Sequence, residues 1–315
     1  MMPSLDCSNL NYKYRASEIS VGIKTFLRPN LLSKVLESLS YYPFREIIIA
    51  DDNPDYVKYD YNKVYENYSH LPLNILRLPF YTGLAAGRNY IVNSCNSGYL
   101  LLLDDDQIVN DTTFITLDVL EQDRELGGVS CLWEEFGKFK CTACNIYMQS
   151  GYIIKELRYM SAVYYTSNNN KFSYFDFIPN STLYRVDALK EIPWDPYYKI
   201  GSEHIDFYVA HKLCGKWKFA VALDAYIKHC PQDEKNYNSY RRGDRLVESF
   251  QYFKDKFGIK DKIEGKKYLD SFKIGTFLRR LGISVELSVL LESILNKSKN
   301  KSRCILKSAL APLRQ

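Results

Sequence analysis

Apolar segments that suit β-strands alternate with segments of helical spacing through the first half of the chain. In residues 30–40, Leu32, Val35, Leu36 and Leu39 occupy positions i, i+3, i+4 and i+7, which lie on one face of a helix. The predicted strands are residues 19–26, 46–50, 73–78 and 99–103, and the predicted helices are 30–40 and 83–95. This order predicts a doubly wound, parallel sheet with right-handed crossovers.

The second half of the chain is less regular. Further helices are predicted at 111–125, 186–190, 205–214 and 245–257, and further strands at 128–132 and 219–227. Residues 133–176 lose clear periodicity and are rich in Tyr, Asn and Ser. We interpret this stretch as an inserted excursion along a groove, rather than as a separate domain.

The last segment, residues 259–315, differs from the rest because it combines apolar helical spacing with clustered Lys and Arg. One interpretation is an amphipathic element that rests on an anionic membrane surface. The other is a helical appendage that packs on the rest of the chain or on a second copy of it. The pattern leaves both open.

Composition narrows the class of protein. The 315 residues are 46% hydrophobic and 25% charged, which is typical of a globular protein with a sizeable core. The net charge of +5 is modest and well mixed through residues 1–240, which argues against a nucleic-acid partner. Residues 1–15 lack the apolar segment of a signal peptide, so we expect a cytoplasmic protein. Through the tail it would either contact a membrane peripherally or form a homo-oligomer.

Residues 100–107 carry the most specific chemistry, because four leucines are followed directly by Asp104, Asp105 and Asp106. In an open α/β sheet, ligands bind at the carboxyl ends of the strands, where these acids lie. Asp104 and Asp106 alternate along the backbone, so both can face one divalent cation and the diphosphate that accompanies it. The alternative is an acidic turn that only closes a buried strand.

The other predicted strands end in residues that could complete a nucleotide site. Thr25 and Phe26 would flank a base, and Asp51 or Asp52 would accept hydrogen bonds from uracil or ribose. The segment beginning at Gly83 supplies small residues for close backbone approach, and Arg88 adds a cation. A phosphate loop of the Walker type is absent from the sequence, so metal and scattered bases would have to neutralise the phosphates.

Several ordered motifs resemble the family 2 inverting glycosyltransferases of the GT-A fold, and most of all the ganglioside-type β1,4-N-acetylgalactosaminyltransferase catalytic domain. They are IKTFLRPNLLSKVLESLSYYPFREIIIADD, LPFYTGLAAGRN, YLLLLDDDQIV, IPNSTLYRVDAL, WDPYYKIGSEHIDFY, YIKHC and YNSYRR. The resemblance covers residues 18–258. It implies a Rossmann-like mixed sheet flanked by helices, with a nucleotide-sugar half at 18–132 and an acceptor half at 133–258. On this basis we predict a catalytic domain at 1–258 and a basic, amphipathic helical tail at 259–315.

The resemblance also implies an activity. It is the metal-dependent, inverting transfer of a hexose or N-acetylhexosamine (GalNAc, GlcNAc or Gal) from a UDP-sugar donor to a glycan or glycolipid acceptor. Two alternatives stay open: a sugar-1-phosphate nucleotidyltransferase, and a catalytically inactive glycan-binding module.

Site roles follow from the family's motifs. Asp106, Asp104 and His229 would bind Mn²⁺ or Mg²⁺, and an imidazole beside carboxylates favours Mn²⁺. Asp206 is the first candidate for the general base and Glu203 the second. Trp194 and His204 would contact the acceptor. The residues predicted to bind the nucleotide sugar are Thr25, Phe26, Arg28, Asp51, Asp52, Gly83, Arg88, Asp104, Asp105, Asn180 and Arg241.

Overall fold

The computed structural model describes residues 15–157, 165–167, 169–232, 235–241, 243–269, 282–284, 287–288, 290–291 and 294–295. Its strands are β1 Ile19–Thr25, β2 Glu46–Asp51, β3 Leu73–Arg77, β4 Tyr99–Asp104, β5 Gln107–Ile108, β6 Leu126–Glu135, β7 Lys138–Lys140, β8 Asn145–Gln149, β9 Tyr152–Glu156, β10 Tyr165–Ser167, β11 Asn170–Phe175, β12 Thr182–Arg185, β13 Lys218–His229 and β14 Asp261–Glu264. Its α-helices are α1 Pro29–Leu39, α2 Lys58–Asn67, α3 Leu84–Ser94, α4 Ile115–Gln122, α5 Val186–Glu191, α6 Glu203–Cys214, α7 Lys235–Arg241 and α8 Asp244–Phe257.

Within the described residues, eleven strands form one mixed sheet. Nine of them follow the order β10-β11-β13-β6-β12-β4-β1-β2-β3, and in addition β5 pairs with β13 and β7 pairs with β6. The strands β3, β2, β1 and β4 are parallel, as predicted. Next to them β12 runs antiparallel to both β4 and β6, which makes the sheet mixed. The predicted fold class is therefore confirmed.

The sheet is covered on both faces, and the central strand β4 shows how. Leu101 and Leu103 pack into the apolar layer that contains α1, whereas Leu100 and Leu102 pack into the layer that contains α3. Successive side chains of a strand point to opposite faces, so a strand buried on both sides must be continuously apolar. All four leucines are buried, and each stabilises the fold by roughly 1.5–3 kcal/mol.

The structure differs from the prediction in three parts of the chain. The described residues of the stretch 133–176 are not an irregular excursion: they end β6 and form β7 to β11. The exposed strand β7 has no buried face, so nothing imposes an alternating pattern on its sequence. The helix α2 was not predicted, because two of its three buried residues are the tyrosines Tyr61 and Tyr65 rather than aliphatic residues.

The predicted tail also begins within the fold. Strand β14 pairs in parallel with β9 and completes a small sheet of order β14-β9-β8, so residues 261–264 are a strand and not part of a helical tail. Most of residues 270–315 lies outside the described part of the chain, and the membrane and oligomer interpretations stay predictions. Among the helices that are described, none is long and apolar enough to cross a bilayer.

Candidate active site

A cavity of about 360 Å³ opens where β1, β2, β4 and β13 end at one edge of the large sheet. Parallel strands bring their carboxyl ends to the same edge, which is why residues distant in sequence meet there. The predicted site residues that line the cavity are Phe26, Arg28, Asp52, Gly83, Asp104, Asp105, Asp106, Asn180, Glu203, His229 and Arg241.

One end of the cavity is built around Asp52. Its carboxylate accepts hydrogen bonds from the Lys24 ammonium and, at 2.9 Å, from the backbone N–H of Gly83. Gly83 has φ of +96°, and a Cβ there would lie 2.5 Å from the Cα of Lys199. Only glycine fits this position without strain, so the loop before α3 can press against Asp52.

Aromatic rings cover the same end of the cavity. The ring centre of Phe26 lies 5.2 Å from that of Tyr240 and 5.9 Å from that of Tyr81. Phe80 completes the group, and the Tyr81 hydroxyl donates to the carbonyl of Tyr240 at 3.2 Å. These rings offer apolar faces to a planar ligand such as a base.

Asp105 is held inside the protein. Its carboxylate accepts from Thr25 Oγ1 at 2.9 Å, from the backbone N–H of Phe26 at 3.3 Å and from the Arg28 guanidinium. Burial raises the pKa of Asp105 to about 6, although Arg28 opposes the shift. Asp105 therefore ties the end of β4 to the end of β1.

Asp104 is turned towards the opposite side of the cavity. It accepts from Asn180 Nδ2 at 2.9 Å and from Arg88 Nη2 at 3.4 Å. Burial opposes ionisation of this carboxyl, but Arg88 and the Asn180 amide outweigh it and hold the pKa of Asp104 below its ordinary value. Asp104 is accordingly an anion at neutral pH.

Asp106 and His229 each turn a possible metal-binding atom towards the other. His229 Nε2 lies 3.6 Å from Asp106 Oδ1, which is buried and has no hydrogen-bond partner among the described residues. His229 Nδ1 lies 2.6 Å from Glu135 Oε1, and the other oxygen of Asp106 accepts from Arg28 Nη1 at 2.7 Å.

These two atoms would supply only part of the ligand set of a divalent cation. In the described part of the chain, no group of three or more His, Cys, Asp and Glu side chains converges as a metal site. Cations of the Mg²⁺ type are commonly held by one or two protein ligands together with substrate phosphates. The orphaned Asp106 oxygen facing an imidazole nitrogen fits such an incomplete site, which phosphate oxygens would complete.

Glu203 is the first residue of α6 and lines the same cavity as Asp106. The two residues before it, Gly201 and Ser202, both have positive φ, of +76° and +60°, and this tight turn directs the first side chain of the helix inward. Glu203 Oε1 lies 4.0 Å from Arg88 Nη1, and Glu203 Oε2 is buried without a hydrogen-bond partner in the described residues. Burial raises the pKa of Glu203, and Arg88 opposes that shift.

Helix α7 brings cationic and aromatic side chains over the acids. The Arg28 guanidinium lies 4.1 Å from the centre of the Tyr237 ring, and Arg241 Nη1 donates to the Tyr237 hydroxyl at 2.7 Å. Both arginines line the cavity, so they can face an anionic group bound there.

A sequence model of glycosyl transferase family 2 matches residues 20–192, which is more than half of the chain. The chain belongs to glycosyl transferase family 2. The resemblance found in the motifs is thus confirmed. The match contains the ends of β1, β2 and β4, and Glu203 and His229 follow it in sequence.

Three known proteins illustrate the similarity. Mouse beta-1,4 N-acetylgalactosaminyltransferase 2 is 35% identical over 114 residues, which are 33% of this chain and 19% of that protein. The structure of S. aureus TarS 1–349 in complex with UDP-GlcNAc has a TM-score of 0.51 at 16% identity, over 75% of this chain and 65% of that one. The mannosyltransferase PcManGT from Pyrobaculum calidifontis, in complex with GDP-Man and Mn²⁺, has a TM-score of 0.54 at 13% identity, over 95% and 81%.

This chain spans about a fifth of the mouse relative and slightly less than two thirds of the TarS chain. The two solved structures share the fold with the family 2 chain at low sequence identity.

Asp206, the first candidate for the base, does not line the cavity. Asp206 lies one turn further along α6, where it accepts from the Tyr198 hydroxyl at 3.0 Å and pairs with Lys256 Nζ at 2.8 Å. Burial raises the pKa of Asp206, and Lys256 opposes that shift. This carboxylate clamps α8 to α6, and of the two candidates only Glu203 faces the cavity.

Neither of the two predicted acceptor contacts lines the cavity. Trp194 is fully buried and stacks on Phe207 with ring centres 4.4 Å apart. His204 lies behind Glu203, with Nε2 3.0 Å from the carbonyl of Ile178. Burial lowers the pKa of His204 to about 3, so its ring is neutral.

Three predicted nucleotide contacts support the site from behind. Asp51, the last residue of β2, accepts from Tyr65, Asn53 and Arg77. Because Arg77 is the last residue of β3, these hydrogen bonds join the ends of β2 and β3. Thr25 is buried against Asp105, as described above. Arg88 is buried as well, and its guanidinium bridges the space between Asp104 and Glu203.

Sequence reasoning missed several cavity residues. Lys24 was read as part of a strand, although a lysine in an otherwise apolar strand next to strand-end acids indicates a buried ion pair. Trp133 and Glu135 lie in the stretch interpreted as irregular, and their indole and carboxylate meet His229. Trp133 and Glu135 are two residues apart, so on a strand both side chains point to the same face. That spacing was the one indication in the sequence that they act together.

Proposed function

We propose that this chain is a metal-dependent, inverting glycosyltransferase that moves a hexose or N-acetylhexosamine from a UDP-sugar to a hydroxyl of a glycan or glycolipid. One observation carries the proposal: Glu203, Asp106 and His229 line the same cavity. Among the described residues, Glu203 Oε2 is buried without a hydrogen-bond partner, and Asp106 Oδ1 lies 3.6 Å from His229 Nε2. Inversion requires a general base on the side of the anomeric carbon opposite to the leaving group. The placement of Glu203 supports that role.

The donor would lie along the edge of the sheet. Phe26 and Tyr240 would stack on the base, and Asp52 would accept from its polar edge. Arg28 and Arg241 would donate to the diphosphate, since guanidinium groups pair well with phosphate oxygens. Asp106 and His229 would hold the cation, with Asp104 towards the ribose. Bound Mn²⁺ or Mg²⁺ would stabilise the negative charge of the departing UDP.

Glu203 would perform the proton transfer. Its Oε2 would accept the proton of the acceptor hydroxyl as that oxygen attacks the anomeric carbon, and would later release it to water. Arg88 lies 4.0 Å from the other oxygen and favours the ionised form that a base requires. Because Arg88 also pairs with Asp104, one buried cation positions both acids.

The test is UDP release from a panel of UDP-sugars with a panel of glycan and glycolipid acceptors, in Mn²⁺ and in EDTA. We expect turnover with Mn²⁺, its loss in EDTA and in Asp106→Ala, and normal turnover in Asp60→Ala, which removes an exposed carboxylate on α2. The product should be the β-anomer when the donor is an α-linked UDP-sugar, as measured from the anomeric proton coupling by NMR.

Four outcomes would contradict the proposal. Equal turnover in EDTA would exclude the metal dependence, and an α-linked product would exclude inversion. Pyrophosphate release from UTP and a sugar-1-phosphate would indicate a nucleotidyltransferase instead. Tight glycan binding without affinity for any UDP-sugar would indicate a binding module.

A further inference from the structure

Glu135 is the last residue of β6 and meets His229, the last residue of β13, at the rim of the cavity. Glu135 Oε1 lies 2.6 Å from His229 Nδ1, and the Glu135 side chain is buried although the hairpin that follows it is exposed. A carboxylate at this distance accepts, so Nδ1 must carry a proton. This interaction therefore selects which nitrogen of the imidazole stays free to bind a metal.

The selected tautomer leaves the lone pair of His229 on Nε2. That nitrogen lies 3.6 Å from Asp106 Oδ1, the oxygen that lacks a hydrogen-bond partner within the described chain. Metal-binding histidines usually donate their second N–H to a carboxylate, which fixes the ring and strengthens the ligand. The order Glu135, His229, Asp106 has that arrangement.

The ring is also held from its face. The Trp133 ring centre lies 4.6 Å from that of His229, and Trp133 Nε1 donates to the carbonyl of Asn180 at 2.9 Å and to Ser181 Oγ at 3.0 Å. Asn180 in turn donates to Asp104. The imidazole thus has its edge fixed by Glu135 and its face fixed by an anchored indole.

The hairpin between β6 and β7 holds Glu135 itself in place. Phe136 and Gly137 have φ of +51° and +75°, as in the tight turns that suit the twist of a two-residue hairpin. This turn sets Lys140 opposite Trp133 in the strand register, and the Lys140 ammonium pairs with Glu135. Lys140 reaches Glu135 from the solvent side, so the carboxylate keeps its charge while it faces His229.

We propose that Glu135 is a positioning residue that sets the tautomer and orientation of His229 for a divalent cation, with Lys140 as its counter-ion. The proposal rests on the metal-dependent function proposed above. It concerns residues that no family motif in the sequence contains, since Glu135 and Lys140 lie between the quoted motifs.

The test measures Mn²⁺ affinity without turnover, by electron paramagnetic resonance titration of the full chain in the presence of UDP. Glu135→Leu removes the acceptor and should weaken Mn²⁺ binding 10- to 100-fold, whereas Glu135→Gln keeps an acceptor oxygen and should lie between Leu and wild type. The matched control is Glu134→Gln on the same hairpin, where Glu134 Oε1 only accepts from the backbone N–H of Gly137. That control should leave the affinity unchanged.

A second measurement reads the tautomer directly, from the ¹⁵N chemical shifts of the His229 ring in the metal-free protein. The Nδ1–H form should dominate in wild type and be lost in Glu135→Leu. Equal Mn²⁺ affinity in wild type and Glu135→Leu, or no Mn²⁺ binding by wild type with UDP, would overturn the proposal. So would a doubly protonated ring in wild type at neutral pH. If Mn²⁺ affinities follow the expected order but no donor is ever hydrolysed or transferred, the proposed function fails while the role of Glu135 stands.

Discussion

The carboxylate of Glu203 and the guanidinium of Arg88 face each other across 4.0 Å without a hydrogen bond. Glu203 Oε2 and Arg88 Nη1 are both buried and both lack a hydrogen-bond partner, as far as the chain is described. Leaving two charged groups unsatisfied costs stability, and proteins commonly accept that cost where a substrate will supply the missing partner. Because Glu203 lines the cavity, an acceptor hydroxyl bound there could donate to Glu203 Oε2 and supply its missing partner.

Replacing Glu203 by Gln should therefore abolish transfer and spare donor binding. We expect kcat to fall about 10²- to 10⁴-fold, the usual contribution of a general base, with the Kd for UDP within about twofold of wild type. Steady-state UDP release and calorimetric UDP titration measure the two quantities.

The matched control is Asp206→Asn on the same helix. Because Asp206 pairs with Lys256 and Tyr198 rather than facing the cavity, this change should lower the free energy of unfolding by about 1–3 kcal/mol and keep kcat within about threefold. A larger loss of kcat in Asp206→Asn than in Glu203→Gln would assign the base to Asp206 instead.

The pH dependence of turnover should report the ionisation of Glu203. Burial raises the pKa of Glu203, so kcat/KM should fall on the acid side at a pH above the ordinary value for Glu of about 4.3. Arg88 lowers that pKa, and Arg88→Met should move the acid limb to still higher pH because the ionised base loses its counter-charge. The profiles should be measured with saturating Mn²⁺. An acid limb at lower pH in Arg88→Met would contradict this assignment.

Much of the fold followed from the sequence because its central strands are buried on both faces. Strands such as β2 and β4 carry continuous apolar runs, and α1 carries an apolar stripe, so these patterns are unambiguous. The edge strand β7 and the tyrosine-rich helix α2 lack such a constraint. In α2 two of the three buried residues are tyrosines, which an apolar pattern does not count as core.

Some site residues could likewise be located from the sequence, and others could not. The acids at the ends of β2 and β4 could be located because topology alone brings strand ends together. Which carboxylate of α6 faces the cavity depends on the left-handed turn at Gly201 and Ser202, and the sequence does not state that conformation. Glu135 was missed because its partner His229 is 94 residues away, and only the pairing of β6 with β13 makes them neighbours.

Removing the ring of Tyr240 should weaken donor binding more than catalysis. Tyr240 packs on Phe26 and Tyr81 at the end of the cavity assigned to the base. Stacking of a base on an aromatic ring is worth about 1–3 kcal/mol, so Tyr240→Ala should raise KM for the UDP-sugar roughly 5- to 100-fold with little change in kcat. Tyr41→Ala, at an exposed tyrosine outside the cavity lining, is the control and should have no effect. An unchanged donor KM in Tyr240→Ala would place the base elsewhere.

Gly83→Ala should damage both stability and donor binding, for a reason that involves no lost side chain. At φ of +96° an alanine is strained by about 1–2 kcal/mol, and its Cβ would lie 2.5 Å from the backbone Cα of Lys199, which cannot rotate away. The loop must then move, and with it the backbone N–H of Gly83 that donates to Asp52. We expect a loss of about 2 kcal/mol or more in the free energy of unfolding, measured by denaturant titration, and a higher KM for the UDP-sugar.

The control is Gly98→Ala, where an added Cβ meets no atom within 4 Å and φ is not in the left-handed region, so stability and KM should stay close to wild type. If Gly83→Ala instead matched Gly98→Ala in both measurements, the contact between this loop and Asp52 would not be what shapes the base-binding end of the cavity.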